Sequence, residues 1–272
     1  MSASIMSAHR ASPVRARSLR VALVALLATL LVALAAPHRA NAMFDGPAYA
    51  FPVPDYVSGL IGTSALTNAY GASGGTSSKG KGRKSRSKPK PPPKPKRATA
   101  AQRRTLRFSR TPAVTDAIYG VVVRRTNADP AVVVPQFVNV VNEWRRVMRT
   151  AAKWVPTDLG DSFTFAFLQH FRLYHGQSSF NAKGAELIRK EVRNSLALQK
   201  PVRRLTTARK QEAAEMVELR TIFLMSALET AQQQRDASAI AAARKDVREF
   251  AEETYGFDIA KVRVTSKGLQ KR

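Results

Sequence analysis

The chain has 272 residues, 45 Lys and Arg against 19 Asp and Glu, and a net charge of +26. It has no cysteine, which excludes a disulfide framework and any cysteine-ligated zinc or iron–sulfur site. The charge is uneven: 14 of the basic residues fall between Lys79 and Arg110 with no acid among them, whereas residues 111–272 carry 26 basic against 17 acidic residues. The extreme basicity therefore belongs largely to one tract and not to the body of the protein.

The first element is an apolar run, Val21 to Ala36, preceded by Arg10, Arg15, Arg17 and Arg20 and followed by Pro37 and the sequence Ala40-Asn41-Ala42. A basic start, an apolar core and small residues before a cut are the three parts of a secretory signal, and the expected cleavage lies between Ala42 and Met43. The 16-residue run is a little short of the roughly 20 residues that span a bilayer. Two other readings stay open: an uncleaved anchor formed by residues 21–36, and an organelle transit peptide, which the Arg- and Ser-rich start fits and the long apolar run does not. The expectation is an exported protein, periplasmic or extracellular.

Residues 43–110 are expected to be a disordered arm and linker. In the arm, Phe44, Tyr49, Phe51 and Tyr56 alternate with Gly46, Pro47, Pro52 and Pro54, which opposes helix. A Gly/Ser-rich stretch, Gly71 to Lys81, follows, and then a Pro/Lys-rich tract that favours extended polyproline II. At about 3.1 Å per residue, Lys79 to Arg97 reaches up to about 60 Å. Such a tract suits a spacer. It equally suits a clamp on a polyanion, with Lys79, Lys81, Arg83, Lys84, Arg86, Lys88, Lys90, Lys94, Lys96 and Arg97 as the candidate contacts. Behind an export signal the expected partner is an anionic envelope polymer or lipid. Nucleic acid is disfavoured, because base stacking needs aromatic residues among the charges and Phe108 is the only one from 79 to 110.

Residues 111–272 carry the patterning of an all-α domain, an antiparallel bundle of about five helices. Two short β-branched runs, Ile118 to Val123 and Val132 to Val134, are expected to be strands or an apolar arm laid on the body. Gln136 to Trp154 is amphipathic through Phe137, Val140, Val141, Trp144, Val147 and Met148, and Pro156 ends it. Asp161 to His175 is apolar nearly all round, with Asp158 or Asp161 as its cap and Gly176 at its end, which makes it the expected central helix. Ala182 to Gln199, Thr207 to Gln234 and Ala237 to Tyr255 complete the set, and Val262 to Thr265 is an extended tail.

In residues 137–269 the chain resembles an uncharacterised family of exported bacterial proteins, domain of unknown function six-six-eight-three. The resemblance rests on Val155-Pro156-Thr157-Asp158-Leu159-Gly160-Asp161, on Phe171 through Tyr174-His175-Gly176, and on Lys210-Gln211-Glu212 with Leu219 and Leu224. The ending from Tyr255-Gly256-Phe257-Asp258 to Gly268-Leu269 fits best. It implies export and a helical fold, and no activity. The Pro/Lys tract lies outside the resembling stretch.

No motif fixes a reaction. There is no dinucleotide or Walker-type loop and no Glu-x-x-His pair. Past residue 42 the only histidines are His170 and His175, five apart and so about 140° apart on a helix, which suits packing or surface roles better than a shared metal. Glu212, Glu215 and Glu218 stand beside Arg209, Lys210 and Arg220, the pattern of a solvated charged face. Trp144 and Trp154 are expected in the core. No catalytic, metal or cofactor-binding residue is assigned. Two functional classes follow: a non-enzymatic envelope module that binds a protein or an envelope component, and, as the alternative, an extracytoplasmic enzyme whose site is built from scattered residues.

Overall fold

The computed structural model describes residues 97–126, 129–150, 152–177 and 179–272. The expected signal with its Ala42–Met43 cut, the aromatic arm and the basic residues from Lys79 to Lys96 lie outside these residues; Arg97 is described and exposed. Among the described residues the chain is mostly helical. Its helices are α1 (Ala100–Arg104), α2 (Pro112–Thr126), α3 (Pro130–Thr150), α4 (Leu159–His175), α5 (Ala182–Leu198), α6 (Lys200–Arg204), α7 (Thr207–Gln234) and α8 (Ala237–Tyr255). A 3₁₀ turn, Ile259–Lys261, leads into a two-stranded antiparallel hairpin, β1 (Val262–Thr265) and β2 (Gly268–Lys271). No described helix is long and apolar enough to cross a membrane.

Local chemistry accounts for the element bounds. Asp158 caps α4 by accepting from the Gly160 and Asp161 N–H groups, and Gly176 ends it in the left-handed conformation at φ 63°. Thr206 caps α7 through the Arg209 N–H, and Asp236 caps α8 through the Ala239 N–H. α4 is the centre: Phe163, Phe167, Leu168 and Phe171 are all but fully buried, and the helix packs against α7, α5 and α8. Phe167 meets Tyr255 edge-on at 5.1 Å, and Trp144 meets Phe165 edge-on at 4.7 Å. Each such ring contributes about 1.5–3 kcal/mol by leaving water.

Three stretches depart from expectation. The Ile118–Val123 run is the middle of α2, and Val132–Val134 lies in the first turns of α3, so neither is a strand. β-branched residues carry only a weak bias, and burial of Ile118, Tyr119 and Val122 in a helix packed on α7 and α3 outweighs it. Pro130 starts α3, where a missing N–H costs nothing, although Pro135 is accommodated inside the helix. The extended tail is paired: Val262 stands opposite Lys271 and Thr265 opposite Gly268.

The third departure is at the start. Among the described residues, Ala98 to Arg110, expected as linker, pack with the body ahead of Thr111. Leu106 is fully buried and Phe108 nearly so. The Phe108 N–H donates to Thr157 O and the Leu159 N–H to Leu106 O, both at 3.0 Å, so residues 106–108 run as an extended partner to the segment ahead of α4. Composition reads 98–110 as linker because its charges are all basic; its inward residues, Ala98, Leu106 and Phe108, are apolar.

α5 is flanked at both ends. Near its start, a Cβ added to Gly184 would lie 1.9 Å from the Thr265 carbonyl oxygen, so the hairpin sits directly on the helix. Near its end, the Ala98 N–H donates to Asn194 Oδ1 at 2.6 Å, and α1 packs on the helix.

Candidate functional site

The interior holds three polar clusters. The largest is on α7. Glu215 and Glu218 stand one turn apart, 2% and 0% exposed, and face two arginines from other elements. Arg145 of α3 places Nη2 2.9 Å from Glu215 Oε1 and Nε 3.2 Å from Glu218 Oε2. Arg110, between α1 and α2, reaches Glu215 at 3.2 Å and Glu218 at 3.5 Å, and also donates to Pro156 O. Thr115 donates to Glu215, Ser162 donates to Glu218 at 3.1 Å, and the Gln211 amide joins Glu215 to Thr111. Two carboxylates and two guanidiniums balance in charge. Even so, burial raises both glutamates above the ordinary range, against the opposing pull of Arg145. Burial, with Glu215 and Glu218 adding to it, also raises the Tyr119 phenol.

This corrects one expectation: Glu215 and Glu218 are not a solvated face, and of the three only Glu212 is part-exposed, paired with Arg209 at 2.6 Å. The usable signal was the breadth of the apolar surface of α7, which leaves no outward side for residues 213–219.

The second cluster explains the Val155–Asp161 motif. Arg189 of α5 holds Asp161 with two nitrogens at 2.7 and 2.8 Å, and Arg193 holds Asp158 at 2.7 Å. Asp161 also accepts from the Val155 N–H. Burial raises Asp158, helped by the neighbouring Asp161 and opposed by Arg193. Gly160 lets α5 approach: a Cβ there would stand 2.5 Å from Arg193 Cγ. Trp154 lies under the Arg189 guanidinium at 5.4 Å, a cation–π contact.

The third cluster is around His170, which is fully buried. Its Nε2 is 3.0 Å from Thr221 Oγ1 and its Nδ1 is 3.3 Å from the Tyr255 hydroxyl. Because the Thr221 hydroxyl donates to Val217 O at 2.6 Å, it accepts from His170, which assigns the proton to Nε2 and leaves Nδ1 to accept from Tyr255. Burial, with Arg220 adding to it, lowers His170 to about 3, so the ring is neutral. His175 is elsewhere, at the end of α4, with Nε2 3.0 Å from Ile259 O. The two histidines share no ligand position, and among the described residues no group of three His, Asp or Glu is placed to hold a metal ion.

An open, mostly apolar cleft of about 330 Å³ lies between α2 and α3, lined by Asp116, Tyr119, Gly120, Val123, Arg124, Pro130 and Val134. Of its lining residues, Tyr119 has its phenol raised in part by Glu215 and Glu218, which themselves do not line the cleft. Ser195 is buried in α5, and Trp144 and Trp154 are core residues. Of the ten candidate polyanion contacts, only Arg97 is among the described residues.

The described residues thus form a mostly α domain whose buried acids and buried histidine are engaged internally and whose last described segment is a small hairpin. The chain matches the family described as "Family of unknown function (DUF6683)" over residues 21–272, and it belongs to that family. The match is longer than the resembling stretch 137–269 and its span takes in the apolar run and the Pro/Lys tract. No curated protein and no solved structure matches the chain.

Proposed function

We propose that the protein is exported and acts as a non-enzymatic binding or structural module, an antiparallel helical domain tethered by a cationic tract that contacts anionic envelope components. The observation that carries this reading is the state of the ionisable groups in the domain. His170 is buried between Thr221 and Tyr255, and Glu215 and Glu218 are matched by Arg110 and Arg145. Groups so engaged position helices and are not poised toward a substrate. The apolar run at Val21–Ala36 with Ala40-Asn41-Ala42 supports export, and the acid-free tract from Lys79 supports anion contact. The test is fractionation with N-terminal sequencing. A mature start at Met43 outside the cytoplasm is expected; an intact N-terminus in the cytoplasm overturns export, and an intact one in membranes makes residues 21–36 an anchor. Deleting residues 79–96 is expected to weaken salt-sensitive binding to envelope material; unchanged binding reduces the tract to a spacer.

The alternative, an extracytoplasmic enzyme, draws on Tyr119, which lines the α2–α3 cleft and lies near two raised carboxyls. In that case Tyr119→Phe abolishes whatever turnover a substrate screen finds while leaving the fold intact.

A further inference from the structure

The α2–α3 cleft is lined by two hydrogen-bond donors that no described residue takes up. Tyr119 is 3% exposed, and its hydroxyl makes no hydrogen bond among the described residues. That hydroxyl is nevertheless not sealed from solvent, so the surface it keeps opens on the cleft that Tyr119 lines. Burial, with the charges of Glu215 and Glu218 adding to it, holds the phenol protonated, and it meets a ligand as a donor. Arg124 is exposed and forms no ion pair with a described residue. Its guanidinium folds back along the cleft wall, with Nη1 3.4 Å from the place that a Cβ on Gly120 would take. No atom of another element comes within 4 Å of that place. Glycine inside a helix is disfavoured relative to alanine, and packing does not demand one here. What Gly120 does is leave the wall open beside Tyr119. Val123, Pro130 and Val134 make the rest of the wall apolar, and the exposed Asp116 stands one turn before Gly120.

We propose that this cleft binds a small apolar molecule carrying one carboxylate, with Tyr119 and Arg124 as the groups that receive the carboxylate. Its volume, about 330 Å³, lies in the range of small-molecule sites. A nearly buried hydroxyl without a protein partner is rare in a fold and marks a place for an outside acceptor. Charge complementarity names that acceptor: the Arg124 guanidinium supplies a positive charge and a fork of donors that match a carboxylate, and the phenol supplies a further donor from a drier position. The apolar part of the ligand leaves water along Val123, Pro130 and Val134. Asp116 opposes a second negative group, which selects a monocarboxylate over a dicarboxylate. The site belongs to the folded body, so it stands apart from export and from the Pro/Lys tract.

The test is isothermal titration calorimetry of the full chain with octanoate, octanamide, octylamine and octanedioate. Octanoate is expected to bind with a Kd on the order of 0.1 mM, within the ligand-efficiency bound for so small a molecule. Octanamide should bind about tenfold more weakly, having an acceptor and no charge, and octylamine and octanedioate should give no measurable binding. Tyr119→Phe keeps the ring and its packing on Phe137, and should weaken octanoate about tenfold or more, the worth of a hydrogen bond to a charged group. Arg124→Gln should weaken it similarly and erase the preference over octanamide. Gly120→Leu fills the wall with a side chain whose Cβ meets only the movable tip of Arg124, and should abolish binding. Arg149→Gln, exposed at the end of α3, should change nothing. Circular dichroism checks that the variants fold; if Gly120→Leu does not, Tyr119→Phe and Arg124→Gln decide. Absence of octanoate binding overturns the proposal. So does binding that Gly120→Leu leaves unchanged, the result expected if octanoate collects on the basic tract or the apolar run. Octylamine binding as tightly as octanoate overturns the carboxylate, and unchanged affinity in both Tyr119→Phe and Arg124→Gln overturns the two receiving groups.

Discussion

Nε of Arg145 lies 3.2 Å from Oε2 of Glu218, a carboxylate with no exposed surface. The same guanidinium reaches Glu215, so one side chain of α3 fastens two consecutive turns of α7. Removing it leaves two buried acids to Arg110 alone. Arg145→Met is therefore expected to cost about 3 kcal/mol or more, toward the range for breaking a buried pair. Adding Glu218→Gln should recover part of the loss, giving a coupling energy in a double-mutant cycle by urea unfolding. Simple additivity would show that the pair is not coupled.

Glu215 and Glu218 titrate above the ordinary glutamate range when folded. A group with a raised folded value stabilises fully below its unfolded value, and this contribution is lost as pH rises through the folded value. Glu218→Gln deletes one such contribution. The stability gap between parent and variant is expected to move against the parent as pH rises above the ordinary glutamate range. Unfolding curves measured across that window check the direction; a gap moving the other way contradicts the assignment.

His170 has the opposite sign. Its folded value, about 3, lies below that of an unfolded histidine, about 6.5. Between these values the unfolded chain binds the extra proton, so stability falls on acidification by about 1.4 kcal/mol per pH unit. His170→Gln removes the effect and is destabilising at pH 7. The gap between parent and variant should shrink by about 2 kcal/mol between pH 7 and pH 5. His175, present in both, cancels from the comparison.

Leu106 tests where the domain begins. It is fully buried in a stretch whose composition marks a linker. Leu106→Ala is expected to cost about 2–5 kcal/mol by leaving a cavity, read from the urea midpoint. A change within the scatter for surface substitutions would place 98–110 outside the folded unit.

Gly184 tests the hairpin. An added methyl would meet the Thr265 backbone at 1.9 Å, an atom that cannot swing away as a side-chain tip does. Gly184→Ala should displace the hairpin and cost about 1–3 kcal/mol. Amide exchange would show faster exchange across Val262–Thr265, with α7 and α8 still protected.

The helices most legible in the sequence are those with chemical punctuation. α7 and α8 begin and end where Thr206, Asp236 and Gly256 place them, because caps act locally. α2 was opaque because its valines carry a weak strand bias that only packing against α7 overrides. The Glu215–Glu218 cluster was opaque for a related reason. Its neutralising partners, Arg110 and Arg145, are 105 and 70 residues from Glu215 along the chain, while the nearby Arg209, Lys210 and Arg220 mimic a surface pattern. The Asp158–Asp161 motif was visible as a pattern, but its purpose depends on α5, where Arg189 and Arg193 wait for it.

α5 is covered at one end by the first described residues and at the other by the last ones. The Ala98 amide is bonded to Asn194, and Thr265 is pressed on Gly184. A chain emerging vector-wise from a ribosome cannot complete this helix's surroundings until residues 262–271 are free. Long-range closure of this kind delays cooperative folding until the hairpin has emerged. The domain therefore locks only when two segments about 165 residues apart have both reached α5.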